Sequence, residues 1–349
     1  MSGTVTTVLG EVAAEELGLV LPHEHLFNDL SSCVVEPHYE FTRLLPGRIV
    51  EPSLQWVLKQ DPYCNEDNVA PKPPEDVIRE ARTFQEIDGA TIVDATGSDA
   101  IGRDPEALRA VAEETGLHVV MSTGAYLEKF EQERITAGTV DGLAAQMLSD
   151  IREGVRDTGI RAGMIGEVGV SPFFTDGERT SLRAAALAQS EAPSTALNIH
   201  MPGWQRRGDE VLDIAIDEMG AHASKISLAH SDPSGADVDY QRRLLDRGVW
   251  LEFDMIGLDI SFPGEGVSPT IHETADAVAR LIEFGYAAQL LLSHDLFLKQ
   301  MWAAMGGNGF TLVPTAFLEL LVERGVSRRT AQSLVTDNPR RYLAADPSA

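Results

Sequence analysis

Eight short apolar runs, each followed by a loop and then a segment of helical period, constrain this chain more than any other feature of its sequence. The runs span 17–22, 90–94, 117–122, 164–168, 195–200, 226–230, 249–253 and 290–294. Most are continuous and rich in Val, Ile and Leu, the pattern of parallel strands buried on both faces. Between them, 74–88 sets Val77, Ala81 and Phe84 on one helical face behind an acidic first turn and ahead of Gly89. Asp104 stands as an N-cap before Pro105, a favoured first helical residue. Further helices are expected near 140–156, 177–190, 208–219, 237–247, 273–284 and 315–323. A length of 349 residues would divide into two domains of about 150 each. Eight strand–helix units instead predict an α/β fold, a single (β/α)8 TIM barrel domain over 1–349. An open doubly wound sheet is the alternative, weakened because no G-x-G-x-x-G follows the first run.

Three loops are longer than a barrel needs: 27–73, 255–272 and 296–312, after the first, seventh and eighth strands. All would lie on the C-terminal face, where barrel enzymes keep their sites. The first carries Trp56, Tyr63 and Cys64, and the last is tipped by Gly306, Gly307, Asn308 and Gly309. They read as substrate walls or lids, and the first reads equally well as a contact between subunits. Composition narrows the partners: 28 basic against 54 acidic residues give a net charge of −26. Such a surface repels nucleic-acid phosphates and anionic lipid headgroups, which leaves a small molecule as the expected partner. No apolar run reaches the ~18 residues of a membrane span. The first residues carry acids where a signal peptide carries bases, and Cys33 and Cys64 cannot build a disulfide framework. A cytoplasmic location with reduced thiols is expected.

The histidines carry the functional signal. Six of nine, His23, His25, His118, His200, His230 and His294, fall within or just after an apolar run. A lone strand-end histidine is ordinarily a hydrogen-bonded core or surface residue. His23 and His25, however, are two apart at the end of one strand, so alternation turns both to one face. His200 and His230 end the fifth and sixth strands, Asp295 follows the eighth, and Glu167 is an acid inside the apolar fourth. A charge in a barrel lumen is costly unless paired or bound to a cation. Imidazoles and carboxylates converging from five strands meet that cost together, as ligands suited to Zn²⁺ and able to take Mn²⁺, Fe²⁺ or Co²⁺.

These residues sit in segments that resemble the phosphotriesterase family of the amidohydrolase superfamily. The segments are LPHEHLF at 21–27, IGRD at 101–104, STGAY at 122–126, IGEVG at 165–169, IH at 199–200, AHSD at 229–232, SHD at 293–295 and NPRRYL at 338–343. The resemblance runs from about residue 6 to 343 and implies a metal-dependent hydrolase barrel with two divalent ions. His23, His25 and Asp295 would hold the more buried ion, and His200 and His230 the more exposed one. Glu167 stands where the best-known members carry a carbamylated lysine bridge, which marks a branch bridged by glutamate. The implied reaction is attack of a metal-bridging hydroxide on a lactone, carboxylic ester, amide or phosphoester, with Asp295 accepting the proton. Carboxyl-type substrates rank first.

Tyr126, Met255 and Trp302 are candidate substrate-binding residues, with Trp204 a further apolar wall. Met255 replaces an arginine, and Glu128 an aromatic, of the family's acyl-homoserine lactonases. Asp232 is a candidate proton relay or hydrogen-bond partner for His230, and Arg103 an anchor for a loop or helix. The resemblance also implies a homodimer. A mononuclear decarboxylase of the same superfamily and a ligand-binding barrel without turnover are the alternatives.

Overall fold

In the computed structural model, which describes residues 3–262 and 264–344, all eight runs become parallel strands of one sheet. A hairpin of β1 (Thr4–Thr7) and β2 (Gly10–Ala13) precedes them. The barrel strands are β3 (Leu19–Glu24), β4 (Gly89–Asp94), β5 (His118–Thr123), β6 (Met164–Gly169), β7 (Ala196–His200), β8 (Ile226–Leu228), β9 (Trp250–Phe253) and β12 (Leu290–Leu292). A small hairpin, β10 (Ser261–Phe262) with β11 (Gly266–Val267), lies in the loop after β9. The strands neighbour one another in chain order from β3 round to β12, as right-handed β–α units require.

Strand ends depart from the apolar runs by one or two residues, for local reasons. A 3₁₀ turn over Ala14–Leu17 and Gly18 at φ 58° delay the start of β3, which then extends through His23 and Glu24. Strands β8 and β12 stop early, so His230 and Asp295 lie beyond them, each at φ 56°. Helices form the outer layer at Pro74–Gln85, Pro105–Thr115, Val140–Arg152, Asp176–Glu191, Gly208–Leu212, Val238–Asp246, Ile271–Glu283 and Leu318–Glu323. Asp104 caps its helix through the Ala107 amide at 3.1 Å. The expected helix over 74–88 stops at Gln85, Asp88 takes φ 64° and Gly89 opens β4. The helix Glu128–Ala137 is highly charged and has no apolar stripe, so hydrophobic periodicity does not reveal it.

The two ends of the barrel differ in chemistry. At the N-terminal end, Val5, Val20, Val93, Met164, Leu291 and Tyr342 belong to one buried apolar cluster. The hairpin and the terminal helix Asp337–Ala344 supply its outer members. At the seam between β3 and β12, the two end strands of the sheet order, individual bonds do the joining. The His23 amide donates to Ser293 Oγ at 3.1 Å, and the Asp295 amide reaches the His23 carbonyl at 3.3 Å. Loop 27–73 has a core of its own, formed by Leu45, Val50, Val57, Leu58 and Cys64. Its outer face stacks Tyr39, Phe41 and Trp56, with centroids 5.2 and 6.0 Å apart. Cys33 and Cys64 are both free thiols. No helix among the described residues is long and apolar enough to cross a membrane.

Lys72 fastens this loop to the one after β12, bonding Asn28 Oδ1 and, at 2.9 Å, the Phe297 carbonyl. Burial pushes its ammonium down to about 7, against the opposing pull of Asp94 and Asp29. An unfolded lysine titrates near ~10.4, so between the two values the unfolded chain holds the extra proton. Lys72 therefore adds stability as pH rises from 7 towards 10 and withdraws it as pH falls. The unfolding free energy of the wild type relative to Lys72→Met should climb by up to about 1.4 kcal/mol per pH unit across that window. Urea denaturation at several pH values checks this, and a constant difference refutes it.

Candidate metal centre

Two backbone irregularities aim the central residues. The β6–β7 register shifts between Ile165 and Val168, and Gly166 has φ 141°. A Cβ on Gly166 would stand 2.7 Å from the Asn198 carbonyl oxygen, so glycine is required beside Glu167. The β3–β4 register likewise shifts between Leu21 and Glu24, around His23. Strict alternation is thus broken at both strands, yet His23 and His25 meet, with ring centroids 5.5 Å apart.

All six residues proposed as ligands converge at the C-terminal end of the barrel. Glu167 lies between two pairs of histidines. Its Oε2 is 2.9 Å from His200 Nδ1, 3.6 Å from His230 Nε2 and 3.7 Å from His23 Nε2. Its Oε1 is 3.4 Å from His25 Nε2. Asp295 Oδ1 stands 3.2 Å from His25 Nε2 and 3.8 Å from His23 Nε2. His230 Nε2 is 2.8 Å from His200 Nδ1. Two sets, His23–His25–Glu167 and Glu167–His200–His230, bring their ligand atoms within 4.8 Å of one another. Each set has the mixed imidazole–carboxylate donors of a divalent-ion site. His23, fully buried, has neither ring nitrogen hydrogen-bonded. A buried polar atom without a partner is rare, and an ion on Nε2 would remove one such defect, so the residues fit a metal.

Electrostatics agree with that fit. Burial lowers the His23 pKa, but Asp254, Glu252 and Glu167 more than offset it and bring it up to about 9. His25 follows the same logic through Asp295 and Glu167 and reaches about 10. Burial works against the charge on Glu167, yet the surrounding histidines hold its carboxyl well below the usual range. His200 goes the other way: burial lowers it, with His230 contributing. A dication would supply the positive charge that protons otherwise bring to this cluster of acids.

A second ring of groups holds the first in place. Thr96 Oγ1 lies 2.7 Å from His25 Nδ1, and Asp254 Oδ1 lies 2.9 Å from both His230 Nδ1 and the His230 amide. Asp232 does not contact the His230 ring. Its carboxylate accepts the amides of Asp254 and Met255 and the Thr274 hydroxyl, each at 3.1 Å. The partner of His230 is therefore Asp254, and Asp232 positions Asp254. Sequence reasoning missed Asp254 and also Glu252, which together with His23 forms a third set of ligand-type atoms within 4.8 Å. The signal was an acid inside an apolar run, WLEFD at 250–254, the same signal that singled out Glu167.

The remaining candidates separate by burial. Tyr126 is half-buried, with its Oη 3.5 Å from His200 Nδ1 and its ring 5.0 Å from that imidazole. Gly169 permits this approach, since a Cβ there would meet the Tyr126 carbonyl carbon at 2.4 Å. Met255 and Trp302 are buried in the main apolar core, and Trp204 packs against Phe262 at 5.2 Å. Arg103 anchors locally, bonding Asp150 at 2.9 Å and Asp99 at 3.0 Å. His294 is a structural histidine: Nδ1 lies 2.7 Å from Glu24 Oε1, and Nε2 accepts the Val313 amide at 2.9 Å.

Comparison with known proteins places this geometry among relatives. The sequence profile of the phosphotriesterase family matches residues 3–343. An N-acetyltaurine hydrolase of Xenopus tropicalis is 31% identical over 349 residues, covering 98% of each chain. The crystal structure of a resiniferatoxin-binding protein from Rhodobacter sphaeroides superposes with a TM-score of 0.95 at 38% identity, over 98% of this chain and 95% of that one. The organophosphorus hydrolase of Deinococcus radiodurans gives a TM-score of 0.76 at 27% identity, over 99% of each chain.

Glu24, the acid between His23 and His25, accepts Ser293 Oγ, the His294 amide and ring, and the Leu296 amide at 2.7–3.0 Å. Those bonds hold the turn that carries Asp295. Removing a buried carboxylate strands all four donors, at roughly 1–3 kcal/mol for an unsatisfied group. Glu24→Ala should lower unfolding stability by about 3 kcal/mol or more, measured by denaturant titration. A change under about 1 kcal/mol would show that the seam does not depend on it.

Proposed function

This chain belongs to the phosphotriesterase family and is a hydrolase, and we propose that it works with two divalent metal ions on a small carboxylic amide, ester or lactone. The observation that carries the reading is Glu167, within 3.7 Å of ring nitrogens of His23, His25, His200 and His230. In this reading His23, His25 and Asp295 would hold one ion, His200 and His230 would hold the other, and Glu167 would contribute to both. Zn²⁺ is the first choice for this donor set, with Mn²⁺, Fe²⁺ and Co²⁺ as substitutes. Bound there, the ions supply Lewis acidity, which activates water and polarises a scissile carbonyl.

The chain's own groups supply the rest. Asp295 accepts the proton of the attacking water on a carboxylate oxygen and returns it to the departing nitrogen or oxygen. Its carboxyl suits the accepting role, because the His25 bond and neighbouring imidazoles outweigh burial and keep it ionised. Tyr126 Oη, whose proton is held firmly by burial and nearby acids, donates to the substrate beside His200. The relative named N-acetyltaurine hydrolase supports an N-acyl amide as the first substrate to try. The Deinococcus relative, named an organophosphorus hydrolase, supports phosphotriesters as secondary substrates. The Rhodobacter protein, described by the ligand it binds, favours a second reading as a binding barrel without turnover.

A homodimer is part of the same proposal. The exposed column of Tyr39, Phe41 and Trp56 is its candidate contact, because adjacent Arg43–Glu40 and Arg48–Glu51 pairs neutralise charge locally in a chain of −26. Phe41→Asp should give a folded monomer by light scattering, and an unchanged mass would place any contact elsewhere.

Metal analysis of the purified protein should find about two ions per chain. One would favour a mononuclear lyase, and none the binding barrel. With defined metal loading, N-acyl amino acids and N-acyl aminosulfonates should be hydrolysed faster than lactones or aryl phosphates, and turnover of none would overturn the reading. Glu167→Ala should lower metal content, and unchanged stoichiometry would remove it as the bridge. Asp295→Asn should reduce kcat by roughly 10²–10⁴-fold, so a near-normal rate would exclude its proton role.

A further inference from the structure

Three of the four histidines around Glu167 have a neighbour on the nitrogen facing away from it. For His25 this is Thr96 Oγ1 at 2.7 Å, and for His230 it is Asp254 Oδ1 at 2.9 Å. His23 Nδ1 faces two carboxylates, with Asp254 Oδ2 at 3.4 Å and Glu252 Oε2 at 3.8 Å. Asp254 is nearer but committed, since both its oxygens already accept the His230 amide. Glu252 is not. Fully buried in β9, it is pinned through Oε2, which accepts from Asn198 Nδ2 and, at 3.2 Å, from Ser227 Oγ. Its Oε1 has no partner, and neither has either nitrogen of His23.

The pinning extends across the barrel. Ser227 Oγ gives its one proton to Glu252, so it accepts from Asn198 Nδ2 at 2.9 Å and from Tyr342 Oη at 2.8 Å. Tyr342 lies in the terminal helix that closes the opposite end. Glu252 thereby ties β7 and β8 to β9, but a neutral amide oxygen would accept the same two bonds without the cost of a buried charge, so the carboxylate calls for a further reason. Its placement makes sense as the group that orients His23 and raises its basicity, as carboxylates do behind metal-binding imidazoles.

We propose that Glu252 is a positioning residue for His23, held by Asn198, Ser227 and Tyr342, and that it strengthens the hold of the His23–His25–Asp295 set on its divalent ion. The inference rests on the two-ion reading above. Glu252 touches no substrate and acts through His23 alone.

The test is metal affinity. Apo-protein is titrated with Zn²⁺ against a chromophoric chelator, for wild type, Glu252→Gln, His23→Ala and the double variant, with the melting temperature of each apo-protein recorded. Glu252→Gln should still bind two ions, with one stepwise affinity lowered by roughly 10–100-fold and the other within about threefold of wild type. Its apo melting temperature should not fall, which separates positioning from a structural role. In the His23→Ala background the same substitution should change neither affinity. If Glu252→Gln does not fold, Ser227→Ala, which removes one anchor and keeps the carboxylate, should weaken the same ion several-fold. Unchanged affinities in whichever variant folds, or an equal loss with and without His23, overturn the role of Glu252 and leave the two-ion reading intact. A wild-type protein that binds no ion overturns that reading and this inference with it.

Discussion

One fully buried imidazole sets the terms for the rest of this site. His23 lies among four carboxylates, with Glu167 and Asp295 towards Nε2 and Glu252 and Asp254 towards Nδ1, all within 3.8 Å. Four acids that close repel strongly in a low-dielectric interior, and the positive charge nearest to hand is that of the surrounding histidines. Burial alone would keep those histidines neutral, yet His23, His25 and His230 are all driven upward by their acidic neighbours. The polypeptide therefore folds into an arrangement short of positive charge at one point, which is the electrostatic basis for expecting cations there.

The same groups also make the barrel. Glu24 and Ser293 join the first and last strands through side chains as they hold the turn bearing Asp295. Asp232 and Asp254 perform the equivalent task between β8 and β9, one binding backbone amides and the other the backbone and ring of His230. Positive φ at His230 and Asp295 is tolerated because these bonds determine each turn from several sides. The apolar cluster at the far end, sealed by the hairpin and the terminal helix, lets the C-terminal end carry so much polarity.

Much of this was legible in the sequence, for identifiable reasons. Eight apolar runs gave eight strands because parallel strands buried on both faces need continuous hydrophobic sequence. Residues 23, 25, 167, 200, 230 and 295 could be picked out because polar groups at such strand ends demand an explanation. Strict alternation, however, does not bring His23 and Glu167 to the centre; register shifts around each do so, and no local pattern announces them. Glu252 and Asp254 carry the same acid-in-apolar-run signal as Glu167, but none of the family-like segments covers 250–254. The partner of His230 could not be read from AHSD, since Asp232 lies close in sequence while Asp254 comes from the next strand. The helix at Glu128–Ala137 and the cap made by β1, β2 and the terminal helix depend on tertiary packing more than on periodicity.

The two sides of the centre are not equivalent, and the difference gives it a direction. His23 and His25 are almost wholly buried and backed by Glu252, Asp254 and Thr96. His200 is the most exposed of the four histidines, its Nδ1 faces Glu167, and His230 and Tyr126 lie beside it. A rigid side, desolvated and supported from behind, suits a ligand set that keeps its ion through turnover, because rearranging it would strand several buried acceptors. A more open side beside a tyrosine hydroxyl suits the approach of a substrate carbonyl, which needs a polar contact and room to leave. On the proposed two-ion reading, substrate selection would fall to Tyr126 beside His200 and metal retention to the groups behind His23. Substitutions on the two sides should therefore divide their effects between KM and metal affinity.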